Sequence, residues 1–403
     1  MDSTGNLPGG VTVASGFQAG AAAAGIKYKQ KKDIALIYSA VPAVAAGVFT
    51  TNKVKAAPLL VTMQRISGGK AQAIVVNSGN ANACNGEQGV RDAQEMAAAA
   101  AGALGIPEEL VLVASTGVIG QKLPMDKVLP GVLAAAGAIS PAGGALAAEA
   151  IMTTDTFPKE ATRQIEINGK IVTIGGMAKG AGMIHPNMAT MLCFITTDAA
   201  IAVADLTRAL GHAVEQSFNM ITIDQDTSTN DMLVVLANGL AGNAEIVGES
   251  DAFQLFQDAL TDVCTSLAMD IAKDGEGATK LIQVEVHHAL TIADARRAAR
   301  AVAGSNLVKA AVFGRDANWG RIICAAGYSG ANFDPNLVDI FLGDEQVTSN
   351  GCSLDFSEER ALEFLNNDTV RIILDFKAGG AGAVAWGCDL TYDYVRINGD
   401  YRT

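Results

Sequence analysis

The stretch Lys179-Gly-Ala-Gly-Met-Ile-His-Pro-Asn-Met-Ala-Thr190-Met-Leu192 sits near the middle of a 403-residue chain. It places a Thr directly after a small residue, behind a Gly-rich turn and ahead of an apolar, β-prone run, Met191 to Asp198. A Thr hydroxyl is a weak nucleophile unless a base sits beside it. Cutting the chain before the Thr creates such a base, because a free α-amine has a pKa of about 7.7–8.0 and can take the hydroxyl proton near neutrality. A nucleophile at the head of a strand is held rigidly while its amine stays free. The stretch therefore predicts a precursor cut at Ala189–Thr190 and acyl-transfer chemistry. An ordinary strand Thr is the plainer reading of the same residue.

Composition narrows what surrounds it. The chain is 49% hydrophobic and 18% charged, which predicts a well-buried globular protein with two or three lobes. Its net charge of −13 and the lack of a basic stripe argue against nucleic-acid binding. The one basic cluster, Lys27-Tyr-Lys-Gln-Lys-Lys32, reads as a solvated strand end. Six Cys without CxxC spacing read as reduced thiols of a cytoplasmic protein. No leader and no membrane span are recognisable.

Along the chain, 11–17, 33–39, 44–50, 71–77, 111–115, 281–286, 307–313, 338–342, 370–376 and 383–386 read as strands. The segments 89–104, 124–136, 145–152, 204–216, 251–274 and 292–302 read as helices. Asn168-Gly169 between two β-prone runs signals a hairpin. The alternation has no strict βαβ rhythm, so an α/β fold with mixed or antiparallel sheets is expected.

Other candidates are local. Thr116-Gly117, after a strand, could supply a hydroxyl and a backbone N–H to an oxyanion. Lys179 offers a point charge for a carboxylate, and Glu276, between two glycines, could meet an ammonium. Gly380-Ala-Gly382-Ala-Val-Ala385 fits a dinucleotide pattern, but no helix start follows it. Asp224 to Asp231 imitates a calcium loop, with Thr229 in place of the turn Gly and Val235 in place of the closing Glu, and reads instead as a polar turn lining a site. No His has a Ser or Cys partner at triad spacing.

Several motifs in order, Ala114-Ser-Thr-Gly-Val-Ile-Gly120, Thr153-Thr-Asp-Thr156, the Lys179–Leu192 stretch, Asp226-Thr-Ser-Thr-Asn-Asp231, Gly314-Arg-Asp-Ala-Asn-Trp-Gly-Arg321 and Tyr394-Val-Arg-Ile-Asn-Gly-Asp-Tyr-Arg-Thr403, together resemble the ornithine acetyltransferases, the glutamate N-acetyltransferases of arginine biosynthesis. Asn77-Ser-Gly-Asn-Ala-Asn-Ala-Cys84 belongs to the set. The resemblance implies an αββα sandwich like that of N-terminal-nucleophile hydrolases, with different connectivity. It implies self-cleavage into 1–189 and 190–403, Thr190 as nucleophile and base, and Thr116 and Gly117 as oxyanion hole. Thr156, Lys179, Thr190, Glu276, Asn398 and Thr403 match its substrate-binding positions, Thr156 being a choice of register within Thr153–Thr156. Acetyl would move from N2-acetylornithine to glutamate with no metal or redox cofactor. Paired αβ units, an (αβ)2 heterotetramer, are implied. Whether acetyl-CoA also serves as donor stays open, and a self-cleaving aminopeptidase or amidohydrolase of similar fold is the alternative.

Overall fold

A computed structural model describes residues 10–185 and 191–400. Its first sheet contains β1 (Phe17–Ala22), β2 (Ile34–Phe49), β3 (Lys70–Asn80), β4 (Val111–Val118), β5 (Lys159–Ile167), β6 (Lys170–Lys179), β7 (Leu192–Thr197) and β8 (Met232–Ala237). The strand order is β4-β3-β2-β8-β7-β6-β5, with β1 added on β2. The two runs read separately as 33–39 and 44–50 are one strand, β2. Its first part pairs with β3 from Ile34↔Asn77 to Tyr38↔Ala73; the register then shifts, and Val44 to Phe49 pairs with β8. Pro42 lies in the irregular stretch, where a missing N–H costs no ladder bond. Asn168 and Gly169 both have positive φ, as a type I′ turn requires, and join β5 to β6 as the sequence predicts.

Because β2 serves two half-sheets, those halves can lie face to face. Ala35, Ile37, Ile74, Val76, Leu112 and Ala114 from one half meet Met177, Leu192, Phe194, Met232, Val234 and Leu236 from the other in a single core. The alternate residues point outward. Leu36, Ala73, Val75, Val111 and Val113 pack on α2 (Gly86–Leu104) and α3 (Met125–Gly137), with α1 (Ala57–Ile66) beside them. Ile174, Cys193, Ile195, Leu233 and Val235 pack on α5 (Val203–Gln216) and α6 (Asp251–Lys273). Helix α4 (Gly144–Ala150) adds Ala147 and Ala148 to the central core. The period-2 alternation thus builds four layers, an αββα sandwich.

A second sheet follows, with β9 (Leu281–Ala289), β10 (Asp339–Leu342), β11 (Glu345–Ser349), β12 (Cys352–Ser353), β13 (Thr369–Asp375) and β14 (Ala381–Cys388) in the order β12-β11-β10-β13-β9-β14. Its helices are α7 (Ile292–Gly304), α8 (Asn306–Gly314), α9 (Trp319–Gly327), α10 (Glu358–Leu365) and the C-terminal α11 (Tyr392–Asp400).

Some expectations give way. Residues 307–313 form helix α8, not a strand: Ser305 caps it by accepting from the Val308 N–H, and Val308, Ala311 and Val312 bury at helical spacing. A short apolar run suits either structure until its neighbours decide. Residues 11–17 open with a 3₁₀ turn at Gly10–Thr12, because Val11 plugs the inter-sheet core and its carbonyl accepts from Thr196 Oγ1; strand begins only at Phe17. The Gly380–Ala385 pattern lies largely within β14, antiparallel to β9, and the next helix, α11, starts only at Tyr392, so no helix N-terminus meets these glycines to hold a pyrophosphate. Strands β1 and β8 and helices α1, α9, α10 and α11 escaped the sequence reading. The basic cluster is a loop between β1 and β2, not a strand end. No described helix is long and apolar enough to cross a membrane.

Candidate active site

A cavity of about 240 Å³ opens where the ends of β3, β4 and β6 approach the loops before β8 and after α6. Thr116 and Gly117 reach it from β4, Lys179 from the end of β6, Glu276 from the loop after α6, and Asn398 and Tyr394 from α11. Residues 282 positions apart in sequence therefore share one wall. The sequence placed Thr116-Gly117 after a strand; they lie inside β4, near its end.

Gly117 is required by its surroundings. It has φ of +132°, and a Cβ there would stand 2.3 Å from the Gly79 carbonyl carbon on β3. Thr116 is nearly buried and lies 3.4 Å from Lys179 Nζ. Since the ammonium can only donate, Thr116 Oγ accepts, and its own proton remains available to the cavity.

Lys179 is fully enclosed. Burial pushes its pKa down, the carboxylates of Asp155, Asp231 and Glu276 oppose that, and the Lys159 ammonium adds to it. Behind it lies a dry ionic cluster. Lys159 Nζ bonds Asp155 Oδ1 at 2.8 Å and Asp274 Oδ2 at 2.6 Å. Burial alone would raise the Asp155 carboxyl; Lys179, Lys159 and the Gly180 N–H, 2.6 Å away, outweigh it and hold the group well below the usual carboxylate range. Thr156 faces this cluster rather than the cavity: its N–H and hydroxyl both donate to Asp274. Thr153 and Thr154, its neighbours in the motif, line the cavity instead.

The cavity lining also carries three carboxylates, Asp224, Asp226 and Glu276. Asn398 Nδ2 donates to Glu276 Oε2 at 2.8 Å, and the Glu276 N–H donates to the Ala181 carbonyl at 2.8 Å. Gly182 lets the carboxylate lie close, since a Cβ would come within 2.5 Å of it. Asp224 accepts from the N–H groups of Met183 at 2.6 Å and Ile184 at 2.8 Å, and from Tyr394 Oη at 3.2 Å. Burial raises the Asp224 carboxyl, against those backbone donors, and burial beside Asp224 raises the Tyr394 hydroxyl. Asp224 thereby fixes the backbone that leads toward His185, with Met183 held at φ of +58°. Asn230 ties the other wall, donating to the carbonyls of Ala81 at 2.7 Å and Ser115 at 2.8 Å.

The arrangement combines hydrogen-bond donors with carboxylates in one small cavity, which suits a small zwitterion bearing a carbonyl. Ala189, Thr190 and Thr403 lie outside the described residues. Met191 immediately precedes β7, its carbonyl accepting from the Met232 N–H, and Leu192, the first residue of β7, pairs with Lys179. The polar turn 224–231 does line the site. Tyr394 and the Lys159 cluster were missed; Thr153-Thr-Asp-Thr156 was the available signal for the cluster, while Lys159 carried none. Among the described residues no group of three or more His, Cys, Asp or Glu could hold a metal ion.

The ArgJ family model matches residues 18–403. The arginine biosynthesis bifunctional protein ArgJ of Symbiobacterium thermophilum is 62% identical over 98% of this chain and 99% of its own length. That of Thermotoga neapolitana is 53% identical over 93% and 96%. Among solved structures, the arginine biosynthesis bifunctional protein argJ of Bacillus halodurans matches with a TM-score of 0.51 and 48% identity, over 52% of this chain and 98% of that one.

Proposed function

This chain belongs to the ArgJ family, and from that premise we propose how its cavity performs acetyl transfer. It is a bifunctional acyltransferase of arginine biosynthesis, an ornithine acetyltransferase that also acetylates glutamate from acetyl-CoA. The observation that carries the mechanism is the convergence of Thr116, Gly117, Lys179, Glu276 and Asn398 on one small cavity, with Lys179 paired to Leu192, the first residue of β7.

Maturation starts when Thr190 Oγ attacks the Ala189 carbonyl. The peptide C–N bond breaks, the nitrogen takes a proton and becomes the α-amine, and water then opens the ester. The products are chains 1–189 and 190–403. The Bacillus halodurans chain supports this, because nearly its whole length accounts for only about half of the present chain.

In turnover the Thr190 α-amine accepts the Oγ proton, and Oγ attacks the acetyl carbonyl of N2-acetylornithine. The Thr116 hydroxyl and Gly117 N–H donate to the oxyanion, where preorganised donors act most strongly. Lys179, by donating to Thr116 Oγ, orients that hydroxyl. The C–N bond breaks and ornithine leaves with a proton on its amine. Glutamate then enters, its amine attacks the acetyl-Thr ester, and N-acetylglutamate departs, a ping-pong sequence. Glu276, positioned by Asn398, receives the substrate ammonium, and Lys179 or Thr403 its carboxylate. Thr156 acts through Asp274, with Thr153 or Thr154 making the contact. The enzyme works in the cytoplasm as an (αβ)2 heterotetramer.

Denaturing mass spectrometry of the untagged protein tests the scheme. Two fragments meeting at Ala189–Thr190 are expected, and Thr190→Ala should give one intact, inactive 41.4 kDa chain. A cut chain or retained turnover in that variant rules out Thr190. Acetate release independent of glutamate would instead favour an aminopeptidase-like hydrolase.

A further inference from the structure

The basic loop has a structural counterpart that the mechanism above does not use. A second cavity, of about 560 Å³, is lined by Lys27, Tyr28, Gly79, Lys122, Lys127 and Asp400 among others. Three lysines and one aspartate line it, in a chain whose net charge is −13; Lys127 Nζ donates to the Gly25 carbonyl at 2.9 Å, and Lys27 Nζ is buried. The lysines come from the β1–β2 loop, the β4–α3 connection and the first turn of α3, so the fold gathers them from separate segments.

This cavity adjoins the active site. A space of only about 20 Å³ between them shares Lys27, Tyr28 and Gly79 with it and shares Thr153 with the catalytic cavity. On β4 the two cavities alternate, Gly117 and Ile119 lining one and Val118 the other. Lys31 Nζ donates to the Thr153 carbonyl beside it at 3.1 Å. Gly79, at φ of +92°, lets β3 pack closely on Lys27, since a Cβ would stand 3.1 Å from Lys27 Cβ. Tyr28 is 52% exposed, with Lys27 Nζ 5.6 Å from its ring centre.

We propose that this lysine-lined vestibule binds the phosphates and adenine of the coenzyme A thioester donor. Resting on the acetyl-CoA half of the function above, it says where that donor sits. Lys122 and Lys127 meet the phosphates, Lys127 in exchange for its bond to the Gly25 carbonyl, Tyr28 offers a face for the adenine, and the thioester end is directed toward the catalytic cavity. Thr190 Oγ then attacks the thioester carbonyl, the C–S bond breaks, and the thiolate leaves with the proton the α-amine had taken. A rival basic cavity, with His185, Arg297 and Arg300, shares no lining residue with the active site.

The test is the double variant Lys122→Glu/Lys127→Glu of the full chain. KM for acetyl-CoA in glutamate acetylation should rise about tenfold or more, while KM for N2-acetylornithine in exchange with glutamate stays within about twofold. Calorimetric titration with adenosine 3′,5′-bisphosphate should show binding to the wild type and its loss in the variant. Unchanged acetyl-CoA kinetics, or an equal loss in both reactions, overturns the proposal. If the wild type exchanges acetyl with ornithine but does not use acetyl-CoA, the functional premise fails separately. The bisphosphate titration then decides: binding that the variant loses sustains the vestibule, and no binding overturns it.

Discussion

Lys159 and Lys122 put the same side chain to opposite uses. Lys159 is 1% exposed and clamped between Asp155 and Asp274, behind the catalytic wall; Lys122 stands exposed at the rim of the outer cavity. A buried charge must be paired, so it dictates where its partners sit and holds the backbone around it. An exposed charge keeps its water, commits no neighbour and acts on an approaching ligand. The inner cluster therefore supports geometry, and the outer one selects what arrives.

The sharpest way to break this contrast is Lys159→Met. Leaving Asp155 and Asp274 without their shared cation should destabilise the fold by about 3–5 kcal/mol, read as a lower urea midpoint. A midpoint near that of the wild type would mean the inner cluster is no more structural than the outer one. Next is Gly117→Ala. Its Cβ meets the β3 backbone, so the oxyanion donors shift and kcat for acetyl exchange should drop about 10²–10³-fold.

Acid separates the regions too. The Asp155 carboxyl is held below its ordinary value, so its contribution is complete above that value and is lost as pH falls through the depressed one. Unfolding experiments below about pH 4 should show stability dropping steeply in the wild type and less so in Lys159→Met. A smaller change is expected for Tyr394→Phe, which removes the bond to Asp224; the loss should be about 1 kcal/mol, seen mostly in KM. Smallest is Lys122→Glu alone, whose thermal unfolding should stay within about 0.5 kcal/mol of the wild type.

The legibility of the site follows the same division. Thr116, Gly117, Lys179, Glu276 and Asn398 were readable because each sits in a motif and the structure gathers them. The Thr153–Thr156 motif was visible, but which Thr faces the cavity depends on Asp274, far along the chain, to which Thr156 donates. Lys159 was invisible because nothing local distinguishes a buried lysine from a solvated one. The basic loop was read as inert because Lys122 and Lys127 join it only in three dimensions. Helix α8 was read as a strand because an apolar run of that length carries no decisive period.

By itself, the sequence determined the strand and helix alternation, the hairpin at Asn168-Gly169, the family and the positions where chemistry is expected. Those depend on neighbours in the chain, on side-chain period and on residue type. Only the tertiary structure decided that β2 bends into two half-sheets, that the halves stack into a sandwich, and that Asp274 and Lys159 are buried together. Register shifts and charge burial depend on which distant segments meet, and a linear pattern does not encode that.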